Sequence, residues 1–194
     1  MIRTFRAAAF AVASFAFTAG ISLWANPALA QVPQSVSAFI EAATGLDTAP
    51  AAPAPLGLVA LVETYAAGGA ALSEEQHCLA SAVYFEARGE SLEGQLAVAE
   101  VVLNRAASGR YPASWCGVVV QRSQFSFVRG GRIPAANRAS DAWRRAVAVA
   151  RVAEERAERI LPRDVLWYHA NYVRPSWGRR LSRSSRIGAH IFYR

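Results

Sequence analysis

Two glutamates four residues apart, Glu86 and Glu90, bracket the tripeptide Ala87-Arg88-Gly89. Glu86 shares a helical face with Leu79, Ala82 and Val83, which recur at spacings of three and four. A carboxylate on a buried face is costly unless it is protonated, paired or used. Desolvation raises its pKa, and a second carboxylate ionising nearby raises it further. A carboxyl group held protonated near neutral pH is the donor that glycosidic cleavage needs, because the leaving alkoxide takes up a proton as the bond breaks. Spacing alone equally allows an ion pair from Glu86 to Arg88 or Arg105 that merely ties two helices together.

The elements around these residues read as mostly helical. Ser73 with Gln76 three positions on fits a capping box, so a first long helix is expected from Ser73 to about Arg88, stopping at Gly89. Ser91 opens a second, whose Leu92, Leu96, Ala99, Val102, Leu103 and Ala106 form one stripe. The two are joined by a tight turn at Gly89-Glu90. Ser114 is expected to cap a short helix through Val120, and residues 121–137, with Gly130, Gly131 and Pro134, read as loop. A third long helix is expected from Ser140 or Asp141 to about Glu158, before Pro162. Val165–Tyr168 and Ala189–Tyr193 are aromatic and β-branched and read as two short strands. The fold class is therefore mainly α (α+β), helical with a small C-terminal β element.

Upstream, Arg3 and Arg6 precede an apolar run from Ala7 to Trp24, and Ala28-Leu29-Ala30 supplies a small-x-small site. Residues 1–30 read as a secretory signal peptide cleaved after Ala30, so a periplasmic or secreted location is expected, without stable membrane insertion after cleavage. Residues 31–72 are rich in Ala and Pro and read as a linker, within which Leu56–Ala67 is apolar enough for a short docking helix; the sequence does not decide it. The folded domain is expected over 73–194. All 21 basic side chains are Arg, and the net charge of +7 becomes +5 without Arg3 and Arg6. Such a surface favours polyanions, and export makes nucleic acid an unlikely partner class. The cysteines are Cys78 and Cys116 alone. In an oxidising compartment they are expected to form a disulfide, with two free buried thiols as the alternative; zinc would need two further ligands, and no metal or cofactor is expected.

The ordered strings Ala82-Val83-Tyr84-Phe85-Glu86-Ala87-Arg88-Gly89-Glu90, Glu93–Ala99, Val101–Arg105, Tyr111-Pro112, Trp115–Val119, Gln124-Phe125-Ser126 and Ile187-Gly188-x-His190-Ile191-Phe192-Tyr193 carry a further signal. Together they closely resemble the cell wall hydrolase family of the spore-cortex-lytic (SleB/CwlJ) type, over about Cys78 to Arg194. The resemblance implies a lysozyme-like catalytic domain acting on peptidoglycan, as a lytic transglycosylase or muramidase cutting between N-acetylmuramic acid and N-acetylglucosamine. It assigns general acid/base chemistry to Glu86. Glu90 is then the helper, or the partner carboxylate if two are used.

Other candidates are read from the residues. Gln124 and Ser126 suit hydrogen bonds to sugar hydroxyls with Phe125 beside them for stacking, although a loop pinned by its aromatics fits as well. Tyr168, His169 and His190 are expected to line the cleft from the strands, although a lone strand His is commonly structural. Asn104 and Gln95 read as helix-packing hydrogen-bond residues. The stretch from Arg174 to Arg194 holds six Arg and no acid, which suits a solvated face or attraction to acidic stem peptides or wall polymers. Rival functions are a peptidoglycan amidase and a non-catalytic wall-binding module. A monomer is expected, and no residue identifies a regulator.

Overall fold

The computed structural model describes residues 56–194. The expected signal peptide and the first part of the linker lie outside the described residues. Five helices precede a three-stranded antiparallel sheet: α1 (Leu58–Ala67), α2 (Glu74–Ala87), α3 (Leu92–Ala107), α4 (Trp115–Val120), α5 (Asp141–Glu154), β1 (Trp167–Ala170), β2 (Arg183–Ile187) and β3 (His190–Tyr193), with a 3-10 turn at Ser176–Arg179.

The capping box forms as its sequence requires. Ser73 Oγ accepts the Gln76 N–H at 3.1 Å, and Gln76 Oε1 accepts the Ser73 N–H at 2.9 Å. From that cap, α2 runs through the middle of the domain, burying Cys78 to Tyr84 without a break. α3 is buried almost all round from Gly94 to Val102 rather than along one stripe, which makes these two the central pair. α5 keeps its solvent face and buries Trp143, Ala146, Val149 and Val152 against them. Each valine so buried contributes about 1.5–3 kcal/mol.

The apolar patch inside the expected linker is a helix. α1 places Val62 in the main core, and its Tyr65 hydroxyl donates to Glu155 at the end of α5. Arg151 on α5 then donates to the Ala70 carbonyl at 2.6 Å, fastening the connection to α2. The folded body thus begins ahead of Ser73.

α5 stops at Glu154, short of Glu158. Arg156 adopts a left-handed φ of 54°, and the Ala157 and Arg156 N–H groups return to Val152 and Ala153 at 3.2 Å each. That six-to-one, five-to-two pairing is a Schellman stop made without glycine.

The sheet has the order β1-β3-β2. β2 was not legible from composition, because Arg-Ser-Ser-Arg-Ile holds one β-branched residue, Ile187, and no aromatic; it is an edge strand with an irregularity between Arg183 and Ser185. In the register, Tyr168 faces Phe192, Ala170 faces His190 and Ile187 faces His190. Side chains alternate across a strand, so Tyr168, His190 and Phe192 share one face and His169, Ile191 and Tyr193 the other. Phe192 and His190 are buried, which puts the first set toward the helices.

The sheet is hung on α3. Glu100 accepts the Ile160 N–H at 3.1 Å and the Leu161 N–H at 2.7 Å. Asn104 Nδ2 donates to the Pro162 and Val165 carbonyls at 3.0 and 3.1 Å, and Arg105 Nε donates to the Leu166 carbonyl at 2.7 Å. Three polar residues on one helix therefore set the path of the chain entering β1, and with it the place of Tyr168.

Candidate active site

Glu86 lies in the last turn of α2, half-buried. The ion pair that spacing allowed is not formed: the Arg88 guanidinium sits 5.0 Å from the Tyr84 ring, and Arg105 lies over the rings of Tyr111 and Phe125 while bonding Leu166. The nearest polar partner is Tyr168, whose hydroxyl donates to Glu86 Oε2 at 3.4 Å. Burial pushes the Glu86 pKa up, and the Tyr168 hydrogen bond opposes part of that rise. Burial, and then the Glu86 charge, push the Tyr168 phenol well above its ordinary value, so it remains a donor. The pair thus offers a carboxyl group biased toward its protonated form and a hydroxyl that steadies the carboxylate once the proton has left.

Glu90 lies in a slot made by two glycines. A Cβ at Gly94 would meet the Glu90 Cβ at 2.8 Å, and one at Gly188, whose φ is +55°, would overlap Glu90 Oε2. That oxygen accepts the Ala189 N–H at 2.9 Å, and Gln95 Nε2 donates to the Glu90 carbonyl at 3.0 Å. Glu90 therefore tethers the β2–β3 turn to the start of α3. The three sequence strings that contain Glu90, Gly94-Gln95 and Gly188 meet at this one contact.

His190 is buried behind Tyr168, with the two rings 5.2 Å apart and edge-on. Burial lowers its pKa, partly offset by the negative charge of Glu90. The structure thus gathers Glu86, Tyr168, His190 and Glu90 along one seam between the α2–α3 turn and the inner face of the sheet.

Two expected site residues, His169 and Phe125, fall elsewhere or act otherwise. His169, next to Tyr168 in β1, points to the opposite face of the sheet, where it stacks on Tyr193 at 5.3 Å. Strand alternation forbids both neighbours from lining one cleft. Phe125 is only 4% exposed and packs in the core beneath Arg105, so its ring has no free face for a sugar. Gln124 and Ser126 are exposed on the same loop. Phe127 fastens that loop to α2 by stacking on Phe85 at 4.9 Å, one residue from Glu86.

Glu100 and Arg105 were missed by sequence reading as parts of the support. The available signal was their place, with Asn104, in the apolar stretch of α3 that follows Gln95. Cys78 and Cys116 form a disulfide between α2 and α4. Glu75 reinforces that junction by accepting the Trp115 and Cys116 N–H groups at the start of α4. Among the described residues, no three His, Cys, Asp or Glu side chains converge as a metal-ligating group.

The domain is mainly helical and carries a small sheet, and at their seam lies a half-buried carboxyl group, hydrogen-bonded to Tyr168 and paired with no cation. The chain belongs to the cell wall hydrolase family, whose model matches residues 89–193 and so begins three residues after Glu86. It is similar to the spore cortex-lytic enzyme of Bacillus subtilis (strain 168), with 51% identity over 55 residues, 28% of this chain and 18% of that protein. The spore cortex-lytic enzyme of Oceanobacillus iheyensis is 49% identical over 55 residues, again 28% of this chain and 20% of the relative. The chain thus matches about a fifth of the length of these relatives. Among solved structures, the catalytic domain of the germination-specific lytic transglycosylase SleB from Bacillus anthracis superposes with a TM-score of 0.53 at 28% identity, covering 66% of this chain and 99% of that one. The shared fold is mainly helical with a small β element.

Proposed function

We propose that this protein cleaves the glycan strands of peptidoglycan between N-acetylmuramic acid and N-acetylglucosamine, with Glu86 as the general acid/base. The observation that carries the proposal is the Glu86 carboxyl group itself: half-buried, without a cation, its pKa raised by burial, and hydrogen-bonded to a hydroxyl that stays protonated. In the first step Glu86 gives its proton to the glycosidic oxygen as the C–O bond to the muramic acid C1 breaks. The Tyr168 hydroxyl then steadies the carboxylate left behind. In the second step that carboxylate takes the proton of the muramic acid 6-hydroxyl as O6 bonds to C1, closing a 1,6-anhydro ring and restoring the acid.

A lytic transglycosylase outcome is favoured over a two-carboxylate muramidase by the position of Glu90. One of its oxygens is committed to the Ala189 N–H, which suits a tether better than a nucleophile. A thiol amidase is disfavoured because both cysteines are joined in the disulfide. Residues 1–30 are proposed to direct export, which brings the enzyme to its substrate; among the described residues no helix is long and apolar enough to cross a membrane.

The test is digestion of purified peptidoglycan followed by mass spectrometry. Anhydromuropeptides are expected. Reducing muramic acid ends would transfer the reaction to the muramidase type, and free stem peptides would overturn the proposal in favour of an amidase. Retention on peptidoglycan without any product would overturn it in favour of a binding module.

A further inference from the structure

The face of the sheet turned away from Glu86 carries its own cavity. It holds about 560 Å³ and is lined in part by His169, Asn171, Arg174, Ser176, Arg179 and Tyr193. The 3-10 turn Ser176–Arg179 folds over the sheet and places Trp177 edge-on to both His169 and Tyr193, each at 5.6 Å. One wall is therefore an aromatic cluster already satisfied within itself. His169 Nδ1 lies 2.8 Å from the Ala170 carbonyl and Nε2 lies 2.9 Å from the Tyr193 hydroxyl, so with Nδ1–H donating to the carbonyl, Nε2 accepts from the tyrosine.

The remaining polar lining is donor-rich, and no carboxylate is among the lining residues. Arg174 and Arg179 are exposed, and Arg183 and Arg186 extend the same face along β2, opposite Tyr193 and Ile191. Of the six Arg from Arg174 onward, only Arg194 has an acid partner among the described residues, Asp164 at 3.8 Å. A guanidinium presents a planar fork of donors that matches a carboxylate with two parallel hydrogen bonds. A neutral glycan offers these cations nothing to pair with. A half-open cavity with an aromatic wall suits a short chain of compact groups better than an extended polyanion, and its volume is in the range of small-ligand sites.

We propose that this outer cavity is a second binding site, for the free carboxylates of an acidic peptide, with Arg174 and Arg179 as the anion-holding residues; that the peptide is a peptidoglycan stem rests on the wall-cleavage reading above. Such a site holds a stem peptide on one side of the domain while Glu86 works on a glycan strand on the other.

The experiment uses the full chain and a synthetic stem tetrapeptide with free carboxylates, followed by calorimetry, with the carboxyl-amidated tetrapeptide, inorganic phosphate and anionic lipid vesicles as comparison probes. The free peptide is expected to bind. Affinity should fall about tenfold or more on amidation and in the Arg174→Gln/Arg179→Gln variant, with partial recovery in Arg174→Lys/Arg179→Lys. Both substituted positions are exposed, so thermal unfolding should be unchanged, and cleavage of peptide-free glycan strands should proceed at the wild-type rate. Equal binding of free and amidated peptide, no binding at millimolar concentration, or insensitivity to the Gln substitutions overturns the site. Tighter binding of phosphate or vesicles than of the peptide overturns the assignment to carboxylates. Peptide binding that depends on Arg174 and Arg179 in a protein that cleaves no glycan upholds the anion site while removing the wall-cleavage reading.

Discussion

Replacing Glu90 by Gln separates a tether from a nucleophile, because Gln keeps the shape and one acceptor oxygen while losing the charge. The Glu90–Ala189 contact is a hydrogen bond to an ionisable acceptor, 2.9 Å long. Bonds to charged acceptors contribute about 1.5–3 kcal/mol and neutral ones about 0.5–1.5 kcal/mol, so Glu90→Gln should cost about 1 kcal/mol of stability. For a domain of this size that is a fall in Tm of about 3–5 °C. Glu90→Ala, which leaves the Ala189 N–H without its acceptor and empties the slot beside Gly94 and Gly188, should cost about 2–3 kcal/mol. The loss of charge also has a local reporter. Glu90 raises the His190 pKa against the larger effect of burial, so Glu90→Gln should move His190 further down, which the histidine ring resonances report in an NMR titration. Glycan cleavage by Glu90→Gln should stay within about fivefold of wild type, because the neutral side chain still holds the hairpin. A folded Glu90→Gln protein whose cleavage rate falls by several orders of magnitude would refute the tether and make Glu90 a direct participant.

Removing the disulfide by Cys78→Ala/Cys116→Ala opens a loop spanning 38 residues and should cost about 3.9 kcal/mol in the chain-entropy model, read from denaturant unfolding; a loss below about 1 kcal/mol would show that Glu75 alone holds α4 in place. Tyr168→Phe removes the hydrogen bond that lowers the Glu86 pKa, so the alkaline limb of the kcat/KM profile should move to higher pH, and an unmoved limb would detach Tyr168 from the acid. The raised folded-state pKa of Glu86 means that the native protein holds this proton more tightly than the unfolded chain. Its contribution to stability is complete below the unfolded carboxylate range, about pH 4, and is lost as pH rises through the raised folded value. Glu86→Gln lacks that loss and should unfold at a higher temperature than wild type at about pH 8 but not near pH 3, as thermal scans at the two pH values will show.

Local signals in the sequence carried α2 to α5 well, because each of these four has a chemical marker at its start: Ser73, Ser91, Ser114 and Ser140 all accept a backbone N–H from the first turn they open, whereas α1 follows Gly57 with no side-chain cap. The end of α5 was harder to see, since a left-handed Arg156 stands where glycine is the usual stop. β2 escaped because an edge strand with polar side chains has no periodic apolar face to betray it. At the site, periodicity placed Glu86 among the buried positions of α2, where it is half-buried, and its freedom from Arg88 and Arg105 is a tertiary fact. Arg105 is drawn away by a carbonyl that only the folded α5–β1 connection presents. The separation of Tyr168 from His169 was implicit in strand alternation, whereas the use of Gly188 and Gly94 to admit Glu90 depends on long-range approach that no local pattern encodes.

The most direct test of the central claim compares the cleavage of purified peptidoglycan by wild type and Glu86→Gln, with folding of both verified by unfolding curves. The substitution keeps the shape and the hydrogen bond to Tyr168 while removing the transferable proton. Anhydromuropeptide release should fall by about 10²–10⁴-fold or more in a protein that still folds. Release at the wild-type rate from folded Glu86→Gln would contradict the assignment of Glu86 as the acid/base.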